Sequence, residues 1–107
     1  MLKAVAKSIQ DSTRGTDLVF RWGGDEFVVI LSDANREGGL IVADRIRTGV
    51  QKISDVANSD LNLSIGMALY PEHGNNAPEL IRVAERALYI AKKGEDIISE
   101  KLTKAST

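Results

Sequence analysis

The chain contains no cysteine, which excludes disulfide cross-links and thiolate chemistry of every kind. It also lacks an excess of charge of either sign. Fourteen basic side chains stand against fifteen acidic ones, so bulk electrostatics favours neither nucleic acid nor an anionic membrane, and any affinity for phosphate must be local. No apolar run approaches the roughly 20 residues of a membrane span, and no signal peptide follows Met1. A soluble domain in the reducing cytoplasm is expected. The one histidine, His73, lies in a turn with no Cys or His nearby, which argues against a metal role and for a solvent-exposed side chain. Aromatic residues are few, at 5%, and Trp22 and Tyr89 read as packing residues rather than stacking platforms.

What the chain does have is enough apolar material, 43% of 107 residues, for one core that buries roughly two thirds of the unfolded surface. The organising stretch is Arg21-Trp22-Gly23-Gly24-Asp25-Glu26-Phe27, between the apolar runs Leu18-Val19-Phe20 and Phe27-Val28-Val29-Ile30-Leu31. It reads as a β-hairpin with two carboxylates at its tip. Paired glycines allow positive φ and close approach of a ligand to the backbone, and adjacent carboxylates are the hard oxygen donors that Mg²⁺ or Mn²⁺ prefers. A solvated turn uses the same residue types.

Around the hairpin the pattern predicts alternating helices and strands. Leu2, Val5, Ala6 and Ile9 form the stripe of a helix reaching about Thr13, with Gly15 as a left-handed cap. Strands are expected over 17–22 and 27–31, the second apolar at every position and therefore central. After the cap cluster Ser32 to Asn35, Leu40, Ala43, Ile46, Val50 and Ile53 mark a helix over 36–53, its first turn weakened by Gly38-Gly39, and 54–60 read as a loop. From Leu61 to Leu69 large apolar residues alternate with Asn62, Ser64, Gly66 and Ala68. That small face leaves room for a bulky ligand or for an element packed closely on it. Pro78 opens a last helix with stripe Leu80, Ile81, Ala84, Ala87, Leu88 and Ala91, closed by Gly94. Ile97-Ile98 suits a short edge strand, and 100–107 a frayed polar tail.

The residues Gly23 to Phe27 spell the signature of the GGDEF domains, the bacterial diguanylate cyclases, and Arg21 and Trp22 fit that pattern. Leu63-Ser64-Ile65-Gly66-Met67-Ala68 and Ala84-Glu85-Arg86-Ala87-Leu88-Tyr89-Ile90-Ala91-Lys92 resemble two further stretches of the family, in the right order. The resemblance implies an α/β sandwich, palm-like as in nucleotide cyclases, with helices on a mainly antiparallel sheet. It covers 1–99 as a partial domain, because the family's first strand and helix, which supply a metal-binding Asp and the guanine-holding residues, have no counterpart here.

The family reaction condenses two GTP into cyclic di-GMP and pyrophosphate with two metal ions. By resemblance Asp25 is a metal ligand and general base, Glu26 shares the metal or supports the site, Gly23 and Gly24 approach the nucleotide, and Lys92 meets the triphosphate as a point charge. Glu95-Asp96 depart from the family's pattern, since acids there repel a triphosphate. With carboxylates from one element only, this chain alone is expected to be inactive.

Arg14-Gly15-Thr16-Asp17 stands five residues before Gly23, the family's spacing for an inhibitory product site. Arg14 is expected to grip phosphate or guanine, Asp17 to accept from guanine, and Arg45, ahead of Arg47, to supply the second arginine. The alternative function is a non-catalytic module that senses cyclic di-GMP. A homodimer is expected, strand-exchanged where a sheet edge lies open, as is an upstream sensory domain; neither nucleic acid nor membrane contacts are expected.

Overall fold

A computed structural model describes residues 2–58 and 61–105. Its elements are α1 (Leu2–Asp11), β1 (Leu18–Gly23), β2 (Glu26–Ser32), α2 (Arg36–Ala57), β3 (Ser64–Tyr70), α3 (Ala77–Lys93) and α4 (Lys101–Ala105). β2 lies between β1 and β3, which explains its unbroken apolar character: from Phe27 to Leu31 every residue is buried, and successive side chains feed opposite faces. On one face Phe27, Val29, Leu31, Ile65, Met67 and Leu69 meet Val5 and Ile9 of α1 and Ala43, Ile46 and Val50 of α2. On the other, Val28, Ile30 and Ala68 meet Leu80 and Ala84 of α3. The result is a mixed α/β sandwich.

Within that class the sheet differs from the mainly antiparallel one expected. β1 and β2 pair antiparallel, but β2 and β3 pair in parallel from Glu26↔Ser64 to Ser32↔Tyr70. The cause is the connection: a strand followed by a 22-residue helix returns to the end of the sheet where it began. Ile98 makes the next contact, a single parallel bridge to Ile65, so the expected edge strand is reduced to one pair.

The small face of β3 is filled by a helix. A Cβ on Gly66 would lie 2.1 Å from the Ala84 carbonyl oxygen and 2.9 Å from the Leu88 amide nitrogen, so α3 rests backbone-close on the strand. Helix ends follow their caps. The Asn35 and Asn76 side chains accept from the amides of Gly38 and Glu79. α2 runs through Ala57 rather than stopping at Ile53, ending at Asn58 with φ 51°; Ser59 and Asp60 of the expected loop lie outside the described residues. After α3 the left-handed position is Glu95, φ 54°, and no described glycine, Gly15 included, has positive φ.

Three further expectations are corrected. The segment from residue 100 is not a frayed tail as far as Ala105, because α4 docks with Thr103 1% exposed over Gly39, where an added Cβ would lie 3.4 Å from the Thr103 methyl. Gly39 is thus a packing position rather than a weak point of α2. Ser106 and Thr107 lie outside the described residues. Trp22 and Tyr89 are not packed, at 43% and 62% exposed.

His73 is half-buried, and its Nδ1 accepts from the Leu69 amide at 2.9 Å, which requires a neutral ring. Burial lowers its pKa, against the opposing pull of Glu72 and the Leu102 backbone. The unfolded chain therefore binds this proton more readily. Stability contributed by His73 is complete above 6.5 and is lost as the pH falls below that value toward the lowered folded pKa. Urea unfolding measured against pH is expected to show this loss, and His73→Gln to remove it.

Candidate functional site

Hairpin geometry sets the site. Gly23 pairs with Glu26, leaving Gly24 and Asp25 as the turn, and the register shifts between Arg21 and Gly23. Neither turn residue has positive φ, so the turn is not one of the primed types that match strand twist, and the irregularity at Trp22 takes up the difference. The glycines serve space rather than conformation. A Cβ on Gly23 would lie 2.5 Å from the Glu26 Oε1, whereas one on Gly24 would meet nothing within 4 Å. Arg21 folds back to donate to the carbonyls of Gly23 at 3.3 Å and Gly24 at 2.7 Å. Ser64 donates its amide to the Asp25 carbonyl at 3.0 Å, fastening the turn to β3.

The structure brings Lys92 to the same end of the sheet. Its Nζ lies 2.5 Å from the Glu26 Oε2, a link between α3 and the hairpin across 66 residues. That hydrogen bond, then the charges of Glu26 and Asp25, raises the Lys92 pKa above its ordinary value. Asp25 itself is exposed and lines a cleft of about 410 Å³ with Ser64, Lys92, Glu95 and Asp96. The two acids after the helix differ in consequence. Asp96 faces Arg47, with Nε 3.9 Å from Oδ1, while Glu95 is exposed at the cleft. As a metal site the hairpin supplies oxygen donors of the right chemistry, but among the described residues no three His, Cys, Asp or Glu side chains converge to hold an ion. Asp25 and Glu26 fit one side of such a site.

At the far end of β2 a second cavity, about 740 Å³, opens between the α1–β1 connection and the start of α2, lined among others by Arg14, Asp17, Asp33, Asn35 and Arg45. Arg45 is exposed on this wall. Arg47 is elsewhere, bonded to the Ile98 carbonyl and to Glu100. Asp17 is not placed as a free guanine acceptor. Its side chain is 2% exposed, with Oδ2 taking the Arg14 amide at 2.7 Å and Oδ1 the Ser32 amide at 2.9 Å. Arg14 donates from Nη2 to the Ser32 carbonyl.

Neither Ser32, read only as part of a cap cluster, nor the turn-capping role of Arg21 was evident from residue types alone. A hydroxyl residue ending an apolar strand, opposite an Arg-x-x-Asp turn, is the signal that could have found the first.

Three motifs at one sheet end and a fourth at the other now have a geometry, and comparison with known proteins gives them a lineage. The family model described as "Diguanylate cyclase, GGDEF domain" matches residues 1–96. The chain belongs to the GGDEF domain family. It is 41% identical over 97 residues to diguanylate cyclase DosC of Escherichia coli K12, covering 87% of this chain and 21% of that protein. To diguanylate cyclase TpbB of Pseudomonas aeruginosa PAO1 it is 40% identical, covering 87% and 22%. To diguanylate cyclase A of Treponema denticola it is 34% identical over 96 residues, covering 87% and 26%. The chain thus spans about a fifth to a quarter of these relatives. No solved structure matches it. Among the described residues no helix is long and apolar enough to cross a membrane.

Proposed function

We propose that this domain belongs to a diguanylate cyclase that joins two GTP molecules into cyclic di-GMP, releasing pyrophosphate, and that is restrained by its product. What carries the reading is the convergence of Asp25, Glu26, the tight Gly23 and Lys92 at one end of the sheet. Asp25 and Glu26 would hold a divalent metal, Mg²⁺ or Mn²⁺, which when bound offsets the negative charge of the reacting phosphates. Lys92 would exchange its Glu26 partner for the triphosphate, and Asp25, exposed at the cleft, is the candidate base for the attacking hydroxyl. Arg14, Asp17 and Arg45 would form the product site around the second cavity, whose volume suits a dinucleotide.

Among the described residues no three His, Cys, Asp or Glu side chains converge to hold an ion, so the chain by itself is expected to be inactive. The same observation favours a second reading, in which the domain binds cyclic di-GMP without turnover. A homodimer is part of the proposal, since among the described residues no strand pairs with the outer edge of β1, which carries Leu18, Phe20 and Trp22 at 41–50% exposure.

Purified chain incubated with GTP and Mg²⁺ and assayed by chromatography tests the catalytic part. No cyclic di-GMP is expected from the chain alone. Formation that disappears in Asp25→Ala would establish the hairpin as a sufficient catalytic site and overturn the expectation of inactivity.

A further inference from the structure

Among the described residues no strand lies beyond β1, and β1 is bare on the face that α3 covers elsewhere in the sheet. Leu18 pairs with Ile30 and Phe20 with Val28, and cross-strand partners share a face. Val28 and Ile30 lie under Leu80 and Ala84 of α3. Leu18 and Phe20 therefore point to that same side, yet they are 50% and 41% exposed, and Trp22, two residues on, is 43% exposed. The free edge is also poorly guarded. Exposed edges are commonly protected by lysine, proline or inward charges, whereas the only charged side chain of β1, Arg21, is folded back onto the carbonyls of Gly23 and Gly24. The one irregularity in its pairing, between Arg21 and Gly23, lies next to the turn. Beside the edge runs a groove of about 420 Å³, lined among others by Gln10, Thr13, Arg14 and Val19.

We propose that this edge pairs, antiparallel, with β1 of a second copy of the chain, about a two-fold axis at Phe20. The proposal rests on the homodimer reading and fixes which surfaces meet. With Phe20 opposite its own counterpart, Leu18 of each copy faces Trp22 of the other, and all three exposed apolar side chains are covered at once. The same register sets Gly23, three residues after Phe20, against Asp17 of the other copy, three residues before it. The turn that carries the exposed carboxylate of Asp25 thereby comes alongside the turn that carries Arg14, whose side chain is 64% exposed. Opposite charges meet at both ends of the ribbon, and a net charge of -1 per chain sets up little repulsion between copies. An apolar match in the middle and a charge match at both ends follow from one register, which selects a second copy over an unrelated strand.

Cysteine cross-linking reads that register, since the chain has no cysteine of its own. Residues directly opposite across an antiparallel pair have Cα atoms about 4.5–5.5 Å apart, within reach of a disulfide. Phe20→Cys is therefore expected to give a covalent dimer on mild oxidation of the purified chain. Leu18→Cys, about 13 Å along the ribbon from its own counterpart, is expected to stay uncross-linked. Sedimentation velocity over a range of concentrations supplies the second readout. The wild-type chain is expected to dimerise, and Phe20→Lys, which sets two ammonium groups face to face at the axis, to raise the dimer dissociation constant at least about tenfold. A wild-type dimer that Phe20→Cys does not cross-link and Phe20→Lys does not weaken, or equal cross-linking by Leu18→Cys, would overturn the interface while leaving the homodimer in place. A wild-type chain that stays monomeric at every concentration would overturn the homodimer reading and the proposal with it.

Discussion

Gly66→Ala is expected to destabilise the domain by about 3 kcal/mol, lowering Tm by more than about 10 °C for a domain of this size. The new methyl would lie 2.1 Å from the Ala84 carbonyl oxygen and 2.9 Å from both the Leu88 Cβ and its amide nitrogen. Two of these three atoms belong to backbone in the middle of α3, so no side-chain rotation relieves the contact and the helix must lift from the sheet. Lifting it uncovers Val28, Ile30 and Ala68, which are 0–4% exposed beneath it. The smaller chain entropy of an alanine in the unfolded state offsets less than about 1 kcal/mol of this. Gly24→Ala is the control. An added methyl there meets nothing within 4 Å and φ is not positive, so thermal unfolding is expected to be unchanged or slightly improved. Equal behaviour of the two variants would show that α3 does not sit on β3 as described.

Arg14→Ala is expected to reduce cyclic di-GMP affinity at least about 30-fold, the consequence of removing one partner of a charge-assisted pair worth roughly 2–4 kcal/mol. Folding should survive the change. The turn keeps its Arg14 amide bond to Asp17 and the Asp17 bond to the Ser32 amide, losing the contacts of an exposed guanidinium with the Ser32 carbonyl and, at 3.9 Å, with the Asp17 Oδ2. Arg47→Ala gives the complementary result. That guanidinium joins α2 to the Ile98 carbonyl and Glu100, so its removal is expected to lower stability by about 1–2 kcal/mol and to leave dinucleotide binding intact. Isothermal titration calorimetry on the two variants separates these outcomes, and unchanged affinity in Arg14→Ala would remove that residue from the site.

These two positions mark how far the sequence could be read. The helical stripes were legible because burial follows a 3.6-residue period: Val5 and Ile9, then Ala43, Ile46 and Val50, then Leu80, Ala84, Ala87, Leu88 and Ala91 are buried, and in α2 only Gly39 joins them unannounced. The alternation around Gly66 was legible too, and its small face left two outcomes open, a ligand or a helix. Only tertiary packing decides between these, and the α3 backbone fills the space. Strand direction was legible in the connection rather than in the apolar pattern of β3: the helix predicted between the two strands returns the chain parallel to β2. His73, by contrast, shows a limit. Turn composition surrounds it, yet the ring folds back to accept from Leu69, a contact set by where the chain travels after the turn. At the site, residue types and spacing located Asp25, Glu26, Lys92 and Arg14. They did not reveal that Glu26 and Lys92 already neutralise each other, nor that Asp17 is buried under two amides. Both facts depend on which polar groups find partners once the chain has closed.

We propose that this GGDEF domain, taken alone, binds cyclic di-GMP beside Arg14 and holds one side of a catalytic site at the hairpin. Calorimetric titration of the chain with cyclic di-GMP and, in parallel, with GTP and Mg²⁺ tests it most directly. Saturable binding of cyclic di-GMP is predicted, with GTP binding weaker by at least about tenfold. A GTP affinity equal to or greater than that for the dinucleotide, or no binding of the dinucleotide at all, would contradict the claim.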